Sequence, residues 1–136
     1  MRLQRILPIR PDLGLLVLRL GVGGFLLFAH GLPKLLSAAD KASHFPDPLH
    51  IGAVPSFVLA AGAESLGALL VVLGLWTQPA ALAVLITMLV AGLVQHAADP
   101  FAKKELALLY AVPFAALLFT GAGAWSLDAR LKRRAA

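Results

Sequence analysis

Pro79-Ala-Ala-Leu-Ala-Val-Leu-Ile-Thr-Met-Leu-Val-Ala-Gly-Leu-Val94 runs for sixteen residues without a single charge. A hydrocarbon layer ~30 Å thick is crossed by about 20 helical residues, and this stretch with its flanks is long enough to do so. Lipid offers no water to a bare backbone, so a spanning segment must be a helix or part of a closed barrel. The alternation of a half-buried strand is absent, which leaves the helix. Three more runs share this character, and the predicted spans are residues 13–36, 54–76, 79–97 and 105–123. Hydrophobic residues make up 60% of the 136 and charged ones 14%, too few to cover the surface of a soluble domain of this size. The expected fold is an all-α integral membrane four-helix bundle, one domain over residues 1–136, with the lipid bilayer as its solvent.

Arg2, Arg5 and Arg10 precede a long apolar run, and Ser37-Ala38-Ala39 loosely fits a signal-peptidase site. The run is too long for a signal core and contains Arg19, His30 and Lys34, so it is read as a retained span. Basic residues then set the orientation. Seven (Arg2, Arg5, Arg10, Arg130, Lys132, Arg133, Arg134) flank the first and last spans on one side, against three (Lys41, Lys103, Lys104) on the other, which predicts cytoplasmic N and C termini. The formal net charge of +5 is explained by anionic lipid headgroups, without a nucleic-acid partner. Trp76 and Trp125 fall near that same boundary, where indole rings favour the headgroup region. The loop over residues 37–53 is either a short segment folded over the outer mouth or a plain connector.

Two charges interrupt the apolar runs. Arg19 lies in the first and Glu64 near the middle of the second, and an ionisable group at membrane depth usually marks a functional site. Ten residues put Glu64 ~15 Å from the start of its span, beyond the reach of snorkelling. Arg19 and Glu64 come from consecutive spans at similar depth, so an Arg19–Glu64 ion pair is the leading expectation. Asp12, Arg19, Gly23, His30 and Lys34 are spaced 7, 4, 7 and 4 apart and share one helical stripe, which should turn inward. Alternatively Arg19 and Lys34 snorkel to opposite interfaces, which suits Lys34 well and Arg19 less comfortably. Around Glu64, small residues with the Ala63-x-x-x-Gly67 spacing suit close helix packing.

His30, Lys34, Gln95, His96 and Glu105 fall at similar depth toward the outer side, as do His44 and His50. No HxxH or HxxxH spacing accompanies the histidines, so no metal site is expected. His30 and His96 are the candidates for proton transfer, and Tyr110 could donate a hydrogen bond into the core. Cysteine is absent, which removes thiolate and disulfide chemistry, cysteine-ligated iron–sulfur clusters and Cys-x-x-Cys-His haem attachment.

The run Leu18-Arg19-Leu-Gly-Val-Gly-Gly-Phe-Leu-Leu-Phe-Ala-His30-Gly31-Leu-Pro-Lys34-Leu35 resembles the first-helix signature of the DoxX family. Ala61-Gly62-Ala63-Glu64-Ser65-Leu66-Gly67, Leu73-Gly74-Leu75-Trp76-Thr77 and Gly121-Ala-Gly-Ala-Trp-Ser126-Leu127-Asp128 are similar to that family too, in the same order. The resemblance implies a small multi-pass protein of the bacterial inner membrane, in a family associated with quinone-linked redox systems and redox stress. It also implies that Arg19, His30, Lys34, Glu64 and His96 occupy the family's polar positions. The functional expectation is a membrane component of a redox system with a buried polar site made of Arg19, Glu64, His30, Lys34, His96 and Glu105, and quinone as its ligand. Whether the chain is itself an enzyme, as a subunit of a quinone-dependent oxidoreductase, stays open. Two alternatives belong to other classes: a small-molecule permease or channel working as a homo-oligomer, and a scaffold for soluble or membrane oxidoreductase subunits.

Overall fold

The computed structural model describes residues 8–135, so Arg2 and Arg5, which enter the orientation argument, lie outside the described residues. Four long helices follow one another: α1, Pro11–Leu36; α2, Ala53–Leu73; α3, Thr77–Gln95; and α4, Phe101–Thr120. A shorter helix, α5, covers Leu127–Ala135. The first three are long and apolar enough to cross a membrane, while α4 opens with Lys103, Lys104 and Glu105 and is apolar beyond them. No strand occurs among the described residues.

Because the four spans alternate in direction, the described residues before α1 and after α4 lie at one end of the bundle, called here the terminal end. The segments joining α1 to α2 and α3 to α4 lie at the other, the loop end. The core runs through the middle of the bundle, with Leu26, Ala68, Val71, Ala81, Val84, Phe114 and Leu117 at its centre. The outward faces carry large apolar side chains such as Phe25, Phe28, Val58, Leu93, Val112 and Phe119, all exposed. A surface of this kind suits lipid and would be a liability in water.

Lipid tails are as apolar as leucine, so the helices pack by close approach of small residues. Gly31 of α1 lies directly against the backbone of Glu64 and Ser65 in α2, where a Cβ would overlap the Glu64 carbonyl. Gly23 sits against Ala68 and Val72, and Gly67 against Val84 of α3. These contacts fix the register of α1 on α2. They place Glu64 opposite Gly31, well above Arg19.

The spans do not keep a uniform pitch. Turns widen to the π type at Arg19–Gly23, Leu27–Gly31, Ala63–Gly67 and Val90–Gln95. Such widened turns recur at functional sites because the added residue re-aims its neighbours. Here they fall on or beside Arg19, His30, Glu64 and His96.

The span bounds shift by up to four residues from the sequence expectation. The second span ends at Leu73 rather than Trp76, because Gly74 adopts a left-handed conformation (φ 67°) and closes the helix. The Gly74 N–H bonds the Val71 carbonyl and the Leu75 N–H bonds that of Leu70, the paired bonds of a Schellman cap. The basic tail after the fourth span, read from sequence only as charged, is the helix α5.

Candidate functional site

The predicted Arg19–Glu64 pair does not form. Arg19 is 1% exposed and points to the terminal end, where its Nη2 donates to the Trp125 carbonyl at 2.6 Å. Its Nη1 donates to the carbonyls of Val72 at 3.3 Å and Val71 at 3.5 Å. Both belong to the last turn of α2, whose dipole favours a cation, and the Val71 carbonyl shares this bond with the Gly74 N–H of the cap. A Cβ on Gly74 would overlap the Arg19 guanidinium, so glycine is required there by space as well as by φ.

Two carboxylates complete this end. Asp12 accepts the Ala124 N–H at 2.7 Å. Asp128 accepts the N–H groups of Trp76 at 2.8 Å and Thr77 at 3.0 Å, capping the start of α3 from a distant part of the chain. Burial raises the Asp128 pKa, but those N–H bonds and nearby Lys132 outweigh it and hold the carboxyl below its ordinary value. Arg19, Asp12 and Asp128 therefore tie α1, the α2–α3 turn and the segment after α4 into a closed knot. Sequence reading did not single out Asp128 as a cap. The only available signal was an acidic residue within the quoted Gly121–Asp128 stretch.

Glu64 finds its cation at the loop end. Lys34 Nζ and Glu64 Oε2 are 2.5 Å apart, with side-chain exposures of 21% and 9%. The ammonium also lies 5.4 Å from the ring centre of Phe45, close enough for a cation–π attraction. Lys34 reaches back into the bundle instead of out to the headgroups. The inward stripe holds nevertheless: Asp12, Arg19 and Lys34 bond to other elements, Gly23 packs on α2, and the His30 ring meets Tyr110 edge-on at 5.8 Å.

The ion pair forms the polar wall of a cavity of about 270 Å³ between α2, α3 and the 37–52 segment. Leu59, Ile86 and Val90 make its apolar wall, and Ser56, Gln95 and His96 add polar groups. A second cavity, of about 210 Å³, lies toward α4 between His30, Met88, Lys103 and Tyr110. Glu64, Ala91 and His96 line both, so the carboxylate and an imidazole stand between the two spaces. His96 Nδ1 is also 2.6 Å from Asp99, whose carboxyl is held below its ordinary value first by that hydrogen bond.

Of the six predicted site residues, Lys34, Glu64, His30 and His96 are thus brought together. Arg19 is at the opposite end, and Glu105 is exposed and lines neither cavity. His44 is also exposed, hydrogen-bonded to Ser43. Among the described residues, no three His, Cys, Asp or Glu side chains are grouped as metal ligands would be.

The 37–52 segment folds over the mouth, and Asp47 is its tether. Asp47 accepts from Ser56 Oγ (2.7 Å), Gly52 N–H (2.7 Å) and Ile51 N–H (3.0 Å), and this lays Phe45, Pro48 and Leu49 over the cavity. The Ser56 bond is the main reason its carboxyl is held below the usual range, outweighing burial, with the two N–H bonds and His50 adding to it. A lowered folded-state pKa means that the tether is complete above the unfolded-state value of about 3.9 and fails as pH falls through the lower folded value. Asp47→Ala should speed hydrogen exchange at the Ile51 and Gly52 amides at neutral pH. In the wild type, the same increase, corrected for intrinsic rates, should appear only in acid. Unchanged exchange in the variant would show that Asp47 does not hold the segment.

The structure thus defines a multi-pass membrane protein whose helical bundle encloses a charged site at its loop end. The chain belongs to the DoxX family, whose profile matches residues 14–97. It is also 35% identical to an uncharacterized protein of Haemophilus influenzae, over 79% of this chain and 83% of that one. No solved structure matches.

Proposed function

We propose that this DoxX protein is the membrane component of a quinone-linked redox system and holds the quinone head in the loop-end cavity. The observation that carries this reading is the Lys34–Glu64 pair, set as the charged wall of a largely apolar space. Ligand pockets combine an apolar lining with a few convergent polar groups, and this cavity does so at a volume just below their usual ~300–1,000 Å³ range. Reducing a quinone takes two electrons and two protons, and the site offers proton-handling groups of matching kind. The Lys34 ammonium can donate to one ring carbonyl, while Glu64 and His96 can pass protons to its oxygens from the loop-end solution. The chain has no cysteine, so in this reading the electrons come from a partner oxidoreductase and not from thiols of its own.

Below the site the bundle is sealed by Val71, Val84, Phe114 and Leu117, each fully buried. A space open at one end and packed shut at the other favours a binding site over a pathway through a single copy. The excess of basic residues flanking the first and last spans supports a cytoplasmic terminal end in this reading, with the cavity opening on the far side of a bacterial inner membrane.

Titrating purified protein in detergent with a short-chain ubiquinone analogue by equilibrium dialysis tests the reading. Saturable binding to the wild type, weakened at least tenfold (about 1.4 kcal/mol) in Glu64→Gln, is expected. Negligible binding to both proteins, or equal binding by both, would reject the quinone site.

A further inference from the structure

The terminal end carries a second concavity that the proposed redox role does not use. It is a groove of about 790 Å³, lined by Leu20 and Leu73 from the spans, by Trp125, and by Arg19, Arg130 and Arg133. Apart from Arg19, the wall made by α1 and α2 is apolar. The rim is cationic, because Arg130 and Arg133 are three residues apart on α5 and both are exposed. Trp125, 58% exposed, stands beside them at the level where indole rings meet lipid headgroups.

The acidic groups at this end are already engaged. Asp12 holds the Ala124 N–H and Asp128 caps α3, and among the described residues neither Arg130 nor Arg133 forms an ion pair. Arg19, at the groove floor, keeps a buried Nε–H with no protein acceptor. The groove therefore joins an acyl-compatible wall to unneutralised guanidinium groups, whose planar forks match phosphate oxygens.

We propose that this groove binds one anionic glycerophospholipid, its phosphate held by Arg130 and Arg133 and the first part of its acyl chains laid against Leu20 and Leu73. Such a lipid would fasten α5 to the bundle at the membrane surface. The site is independent of the loop-end cavity, and quinone binding can fail without affecting it.

Native mass spectrometry of delipidated protein in detergent, with phosphatidylglycerol added back, tests this. The wild type should retain one phosphatidylglycerol and release phosphatidylcholine readily. Arg130→Gln with Arg133→Gln should weaken retention about thirtyfold, from two cationic contributions near a lipid phosphate. Lys132→Gln with Arg134→Gln removes the same charge from residues that do not line the groove, and it should change retention little. Equal loss in the two double variants would mean diffuse attraction by the tail and would overturn the site. So would full displacement by soluble glycerol phosphate, equal retention of phosphatidylcholine, or no lipid retained by the wild type.

Discussion

Arg19→Leu is expected to cost about 2–4 kcal/mol of stability and to lower the unfolding midpoint in detergent by roughly 10 °C. The guanidinium serves three carbonyls, of Val71, Val72 and Trp125, and the last at 2.6 Å is a short charge-assisted bond. Leucine can fill part of the volume but donates nothing. It leaves the Val72 and Trp125 carbonyls without their guanidinium donor, and the Val71 carbonyl with only the Gly74 N–H, in a region where Arg19 is 1% exposed. Arg19→Lys should recover only part of the loss, since a single ammonium cannot span the α2 terminus and Trp125 together. Binding at the loop-end cavity should survive in whatever fraction stays folded, because the guanidinium is far from it. An unchanged midpoint in Arg19→Leu would show that the terminal-end knot does not hold the bundle.

The fates of Arg19 and Glu64 show where sequence reading reaches and where it stops. The four apolar runs were legible because membrane thickness sets their length and lipid permits little but helix. The inward stripe of α1 was legible because helical period places Asp12, Arg19, Gly23, His30 and Lys34 on one side. Which charge meets which was not legible, since that depends on how far one helix slides along its neighbour. Here the slide is fixed by Gly31 lodging against the Glu64 backbone and Gly23 against Val72, contacts that hydropathy does not reveal. Fifteen residues separate Arg19 from Lys34, about 22 Å along a helix, so the choice of partner moves the buried ion pair from one end of the bundle to the other. Lys34 was hard to assign for another reason: a flexible four-carbon stem near a span end can turn outward or inward, and only the buried carboxylate opposite it decides. Asp47 and Asp128 were missed because each caps backbone that the chain folding, not the local pattern, delivers.

Breaking the Lys34–Glu64 pair from one side should be the most damaging change at the loop end. Lys34→Met leaves Glu64, 7% exposed, without its ion-pair partner in a largely apolar surround. The cost is expected near the lower end of the ~3–5 kcal/mol typical for stranding a buried charge, because Lys34 keeps some exposure and water can reach part of the site. Glu64→Gln strands the ammonium, but the long stem lets it swing to the headgroups, so its cost should be smaller. The double variant, Lys34→Met with Glu64→Gln, removes both charges and should be more stable than Lys34→Met alone, giving a coupling energy of about 1–3 kcal/mol in a double-mutant cycle. Additive costs would mean that the two groups do not interact in the folded protein. Ligand binding separates structure from function in the same series: if the pair forms the polar wall for a quinone head, the double variant regains stability without regaining binding. A pair that merely holds α1 on α2 would instead let binding return together with the fold.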